Sequence, residues 1–165
     1  MTSKELDELG GLLDARRARA RLALIEKDLI GYMALFSPEL TYRQLDGRTI
    51  DRTRLAQDVQ RQIETLENAE SVPHRESLEL TDIGAVEIVA QEATATASAF
   101  GGLLKREFRV LRKGRYIWKR IADEWCIAMV EILEEQVAGS RIRFSLARWP
   151  KHTPVGGSDR GPDSA

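Results

Sequence analysis

Residues 109–133, RVLRKGRYIWKRIADEWCIAMVEIL, constrain the fold more than any other stretch of this chain. Two apolar-rich runs flank a short polar turn, Ala122-Asp123-Glu124, and Trp125 opens the return run. This is the pattern of a long antiparallel hairpin. It ends a chain whose first part reads as helix. Helices first and strands afterwards point to a single α+β layer arrangement rather than to alternating βαβ units.

The periodicity supports this reading. Residues 12–27 place Leu12, Leu13, Ala15, Ala18, Leu22 and Ile25 on a helical stripe. Arg16, Arg17, Arg19 and Arg21 lie among Glu5, Asp7, Glu8, Asp14 and Glu26, and read as a solvated helix face rather than a nucleic-acid patch. Asp28 caps a second short helix over 29–36, stopped by Ser37-Pro38 because a residue before proline avoids helical geometry. A strand follows over 40–45, closed by Asp46-Gly47. Asp51 can cap a third helix over 52–67, with Leu55, Val59, Ile63 and Leu66 at helical spacing.

The period then changes from 3.6 to 2. Residues 72–82 alternate, with Val72, His74, Glu76, Leu78 and Leu80 on one face. Turn signals at Asp82-Ile83-Gly84 and Gly101-Gly102 set off strands over 85–100 and 103–121, the latter bent by a bulge near Lys113-Gly114. The last strand spans 125–135. The chain is therefore expected to comprise a polar lead-in over 1–11, a domain over 12–136, and a 137–165 extension largely disordered from about residue 150. In that extension Ile142, Phe144, Leu146 and Trp149 form a possible edge strand or docking motif.

Composition narrows the function classes. The net charge is −1, so no global field draws the chain to nucleic acid or to an anionic membrane. No apolar stretch approaches the ~20 residues of a membrane span, and the acidic start MTSKELDELGG lacks a signal-peptide core. One cysteine, Cys126, allows no internal disulfide, which suits a cytoplasmic location, and reads as inert core. With two histidines and one cysteine, a zinc site of the usual kind is not expected. No phosphate loop or nucleophile elbow occurs, and no cofactor is expected.

The segment KDLIGYMALFSPELTYRQLDG (27–47), the helix after it and the ending YIWKRIADEW (116–125) together resemble the nuclear transport factor two-like superfamily, and most nearly its SnoaL-like and ketosteroid-isomerase-like bacterial group. The resemblance covers about residues 12–135. It implies a cone-shaped, strongly curved antiparallel sheet closed by N-terminal helices, a cystatin-like α+β barrel. It also implies an inner apolar pocket for a small molecule and a homodimer packed through the outer sheet face. Where ketosteroid isomerase carries its proton-shuttling aspartate, in the first strand just before the turn, this chain has Gln44. The oxyanion-hole tyrosine falls near Ala20, and the protonated aspartate at or next to Tyr116. Only Tyr116 keeps a hydroxyl donor, so the chain does not resemble a steroid isomerase in its chemistry.

Candidate site residues follow from both sources. His74 and Glu76, two apart on the face of Leu78 and Leu80, form a general acid/base pair if that face is buried, and a solvated strand start if it is not. Tyr42, Gln44 and Tyr116 could hold a carbonyl or enolate oxygen, with Tyr32 near the pocket mouth, or the tyrosines could simply fill the core. Trp118 and Trp125 pack in the sheet or at a dimer face, with Trp118 also a possible ligand contact. Glu131, a charge in an apolar strand, needs a partner such as Arg109, Arg120 or a second subunit. Arg112, Lys113, Arg115, Lys119 and Arg120 read as a solvated face. Two functions stay open: a cofactor-independent cyclase, isomerase or dehydratase acting on a small carbonyl- or hydroxyl-bearing metabolite, and a non-catalytic ligand-binding or dimeric assembly module.

Overall fold

Thr2 starts the first helix. Its hydroxyl accepts a hydrogen bond from the Glu5 amide (3.3 Å), and the Glu5 carboxylate accepts one from the Thr2 amide (2.6 Å). In the computed structural model, which describes residues 2–99 and 104–138, helix α1 runs Ser3–Ile25. The helix runs unbroken through Gly10 and Gly11, which lie in the stretch read as a polar lead-in. Gly10 is buried, and a Cβ there would lie 2.9 Å from Arg75 Nη1, so the missing side chain lets Arg75 reach the helix backbone.

The buried stripe of α1 is Leu9, Leu13, Ala20 and Ala23, with the half-buried Arg16 and Arg17 in its middle. Leu12, Leu22 and Ile25, expected inside, are exposed. Arginines occupy the centre of the buried face, which is why an apolar stripe misplaces it. Arg16 donates to Trp125 O (3.1 Å) and Ala34 O (2.9 Å) and pairs with Glu124 (3.0 Å). Arg19 and Arg21 are exposed, so the solvated-face reading holds for them and fails for Arg16 and Arg17.

Asp28 caps α2 (Leu29–Met33) by accepting from the Gly31 amide at 3.0 Å. Strand β1 (Phe36–Arg43) begins earlier than expected and contains Pro38. Proline is tolerated there because the β1–β6 register shifts between Phe36 and Thr41. After β2 (Thr49–Asp51) the Asp51 carboxylate accepts from the Arg54 amide (2.8 Å) and starts α3 (Arg52–Thr65). Four long strands follow: β3 (Leu66–Thr81), β4 (Gly84–Ala99), β5 (Leu104–Ile121) and β6 (Glu124–Ala138). The Gly101-Gly102 turn and the tail residues Ile142, Phe144, Leu146, Trp149 and His152 lie outside the described residues.

The strands form one curved six-stranded sheet in the order β2-β1-β6-β5-β4-β3. It is antiparallel except for β1 against β6, which pair in parallel with Tyr42 beside Val130; the expectation of a purely antiparallel sheet is corrected there. Register shifts at Arg75/Ser77, at Lys113/Gly114 and at Ile117/Trp118 each insert an extra residue, bending and twisting the sheet. The β5–β6 turn uses Ala122 and Asp123 at φ +47° and +67°, as a two-residue primed hairpin requires.

The helices pack onto the concave face. Leu13, Trp118, Ile127 and Val130 are sealed from solvent, each worth roughly 1.5–3 kcal/mol of burial. Cys126 is buried within the same layer.

Gly84 is the tightest backbone position. It has φ +133°, and a Cβ there would stand 2.1 Å from the carbonyl oxygen of Trp118 on the neighbouring strand. Gly84→Ala is expected to destabilise the fold by about 2 kcal/mol or more, combining left-handed strain with a backbone clash. Denaturant unfolding of the variant checks this; a stability equal to wild type would contradict the β4–β5 geometry.

Candidate functional site

The bulge in β3 decides which side chains face inward. Arg75 pairs with Val89 and Leu78 with Glu87, and both β4 partners are buried. Two residues separate Arg75 from Leu78, where simple alternation would place one or three, so the facing inverts across the bulge. Leu78 packs on the core, whereas Val72, His74 and Glu76 project from the outer face. His74 is exposed, and Glu76 pairs with Lys113 Nζ at 2.6 Å on that face. The expected acid/base pair on a buried face is therefore corrected: the face is solvated.

Arg75 points inward instead and meets Glu87, which is 0% exposed. Three donors converge on this carboxylate. Arg75 Nε donates to Oε2 (2.9 Å), Trp118 Nε1 donates to Oε1 (2.5 Å), and Arg17 Nη2 donates to Oε1. Arg75 also bonds Asp14 (2.5 and 3.2 Å) and Gly10 O (3.2 Å). The Arg17 guanidinium stacks 5.2 Å from the Trp118 ring centre and 5.5 Å from that of Tyr116. Burial lowers the Arg17 pKa to about 10, still a cation at neutral pH. Trp118, weighed above as a ligand contact, is 0% exposed with its N–H committed to Glu87, and offers a ligand no surface.

Beyond Tyr116 a second polar cluster surrounds Arg112. Arg112 donates to Glu135 Oε2 through Nε (2.8 Å) and Nη2 (2.5 Å), a charge-assisted double contact, and neither bond uses Oε1. The two side chains keep 13% and 15% of their surface. Tyr32 and Tyr116 are half-buried, and Tyr42 is 8% exposed. Tyr32 stacks on Phe36 with ring centres 5.6 Å apart. Desolvation is the main effect on all three phenols. It pushes Tyr32 up to about 12 and raises Tyr42 and Tyr116 as well, against the lowering field of Arg112. Burial opposes the charge on Arg112, but Tyr42 and Glu135 outweigh it and hold its pKa above the ordinary value. All five groups are desolvated and keep only a little accessible surface. The arrangement offers phenolic donors, a guanidinium and a carboxylate oxygen to one small polar group.

The candidates are thus redistributed. Tyr32, Tyr42 and Tyr116 come together around Arg112 and Glu135. Gln44, two residues on from Tyr42 along β1, is buried but lines a separate cleft with Arg48 and Arg54. Glu131 finds its partners on the outer face, Arg115 (3.1 Å) and Arg43 (3.6 Å), not Arg109 or Arg120. Sequence reasoning missed Arg17, Arg75, Glu87, Arg112 and Glu135. A usable signal existed for Glu87, a carboxylate midway between the small or apolar Ala85 and Val89 at strand spacing. Among the described residues no group of three or more His, Cys, Asp or Glu side chains is placed to hold a metal ion. No described helix is long and apolar enough to cross a membrane.

The raised phenols give a pH dependence. They are the only tyrosines of the chain. A phenol that ionises less readily in the folded state contributes stability that is whole below its unfolded pKa and is lost as pH rises through the folded value. Stability is therefore expected to fall from about pH 10 upward, the unfolded phenol value, towards about 12, where Tyr32 ionises. Phenolate absorbance should appear late and together with loss of the fold. Absorbance growing near pH 10 in a fully folded protein would place the tyrosines in water.

No protein-family model matches the sequence, and no functionally curated protein does either. Solved structures do match. A candidate scytalone dehydratase from Novosphingobium aromaticivorans superposes with a TM-score of 0.73 at 10% identity, over 87% of this chain and 94% of that one. A candidate dehydratase of the nuclear transport factor two-like family from Streptomyces avermitilis gives 0.63 at 9%, over 76% and 96%. A conserved protein from Planctomyces limnophilus gives 0.61 at 15%, over 77% and 98%. With the six-stranded curved sheet and the helices on its concave side, these likenesses show that the chain has the nuclear transport factor two-like fold.

Proposed function

We propose that the Arg112–Glu135 cluster carries out cofactor-independent acid/base chemistry on a small metabolite bearing a carbonyl or hydroxyl oxygen, of the dehydratase, isomerase or cyclase type. One observation carries this reading: Glu135 keeps Oε1 free of its Arg112 contact, beside three desolvated phenols. Two of the structural neighbours being candidate dehydratases agrees with it. Glu135 would take a proton from the carbon next to the carbonyl. The electron pair moves onto the carbonyl oxygen, which Tyr116, Tyr32 and Arg112 stabilise as an enolate. Returning the proton to another carbon gives isomerisation. Loss of a neighbouring hydroxyl, leaving as water with that proton, gives dehydration. His74 and Glu76 take no part, and Gln44 lies off this path.

A second reading draws on a different observation. Asp14, Arg17, Arg75 and Glu87 satisfy one another, so that end of the cone is complete without a ligand. A non-catalytic ligand-binding module, dimeric through the outer sheet face where Met129 is 40% exposed, would need no more.

Purified protein incubated in deuterium oxide with small ketones and β-hydroxy ketones separates the two. At least one compound is expected to lose its α-proton or its hydroxyl faster than in buffer. Glu135→Gln should then slow that rate by about 10²- to 10⁴-fold. Tyr116→Phe should slow it by about 10²-fold. A folded Glu135→Gln variant as active as wild type would remove Glu135 from the chemistry. Ligand retention with no turnover in any arm would favour the binding module.

A further inference from the structure

A second cleft lies under the β1–β2 hairpin, against the first turns of α3. It holds about 410 Å³ and is lined by Gln44, Arg48, Thr49, Ile50, Arg54 and Asp58. That volume is in the range of small-ligand sites. None of these residues belongs to the Arg112–Glu135 cluster.

Its floor is polar and sealed. Gln44 and Asp58 are each 8% exposed. The Gln44 backbone is fixed by the turn, its amide donating to Arg48 O (2.8 Å) and its carbonyl accepting from the Gly47 amide (2.9 Å). Its side-chain oxygen Oε1 is buried and accepts no hydrogen bond. Buried polar atoms are normally satisfied, so an orphaned acceptor in the wall of a cleft calls for a donor from outside the chain. Asp58 is held by Arg54 (3.3 Å) and Arg61 (3.7 Å).

The rim is cationic. The Arg48 and Arg54 side chains are 56% and 47% exposed. Arg48 hydrogen-bonds Asp46 through Nε (2.7 Å), and Arg54 hydrogen-bonds Asp58 through Nε (3.3 Å). The terminal nitrogens of both guanidiniums make no hydrogen bond among the described residues, and their fork geometry suits an oxyanion.

A bare anion would satisfy the rim and leave Gln44 Oε1 without a donor. A neutral polyol would satisfy the floor and leave the guanidiniums idle. Together the two halves select a molecule with both ends. We propose that this cleft binds a small polyhydroxylated oxyanion. One hydroxyl donates to Gln44 Oε1, another meets Asp58 or Thr49, and a terminal carboxylate or phosphate is taken by Arg48 and Arg54.

Four probes test this by amide-shift titration of the isotope-labelled chain: gluconate, a hexose monophosphate, glucose and inorganic phosphate. Gluconate or the hexose phosphate is expected to shift residues 44–50 and to bind at least about tenfold more tightly than glucose or phosphate alone. Binding of gluconate only identifies a carboxylate ligand, and of the hexose phosphate only a phosphorylated one. Gln44→Leu and the exposed-site variant Arg48→Ala should each weaken binding about tenfold. Glu135→Gln should leave it unchanged, which separates this site from the Arg112–Glu135 cluster. Three results would overturn the proposal: no shift with either probe up to about 10 mM, phosphate alone binding equally well, or wild-type affinity in Gln44→Leu.

Discussion

A carboxylate with no access to water organises this protein. Glu87 sits in the middle of β4 at 0% exposure, and a buried ion of that kind costs several kcal/mol unless its neighbours supply both charge and hydrogen bonds. Here Arg17 comes from α1, Arg75 from β3 and the Trp118 indole from β5. One acidic group thus fixes the position of a helix against three strands. The bare backbone at Gly10 and the bulge after Arg75 both serve that contact. The first lets the guanidinium reach the helix, and the second lets Arg75 and Leu78 face inward together.

That arrangement divides the interior. Around Glu87 the charges are mutually paired and the aromatic groups are packed, so this half behaves as a polar core. Past Tyr116, whose ring stacks on Arg17 and whose hydroxyl end feels Arg112, the side chains retain surface and an open carboxylate oxygen. Rigidity at one end and accessibility at the other is what a preorganised site needs, since a site held by packed neighbours loses little order when it binds. The fold leaves the chemistry open; the site residues argue it.

Much of this was legible in the sequence. The change of hydrophobic period near residue 72, the turn residues and the Trp118…Trp125 hairpin give the helices and the four long strands in the right order, and the fold class with them, although α1 starts at Ser3 rather than residue 12 and β3 at Leu66 rather than residue 72. Facing was less legible, for physical reasons. A single extra residue in β3 reverses every side chain beyond it, so His74 and Glu76 leave the face of Leu78. Alternation cannot register a bulge that its own residues do not announce. Charge misleads in a related way. Glu131 and Glu87 both interrupt apolar strands, yet Glu131 pairs at the outer face and Glu87 is the buried one. Charge alone marks arginines as surface groups, whereas Arg16, Arg17, Arg75 and Arg112 all turn inward to acceptors that come from distant parts of the chain. Nothing local in the sequence specifies those partners.

The organising role of Glu87 is best measured by a double-mutant cycle with Arg17, read from denaturant unfolding of wild type, Arg17→Met, Glu87→Leu and the pair together. Each single change removes one partner from a buried charge network and is expected to cost about 3 kcal/mol, while the double variant should cost clearly less than their sum, leaving a coupling of about 2 kcal/mol or more. Single-variant costs that simply add to within about 0.5 kcal/mol would show that the two side chains do not depend on each other, and would contradict a fold built around this pair.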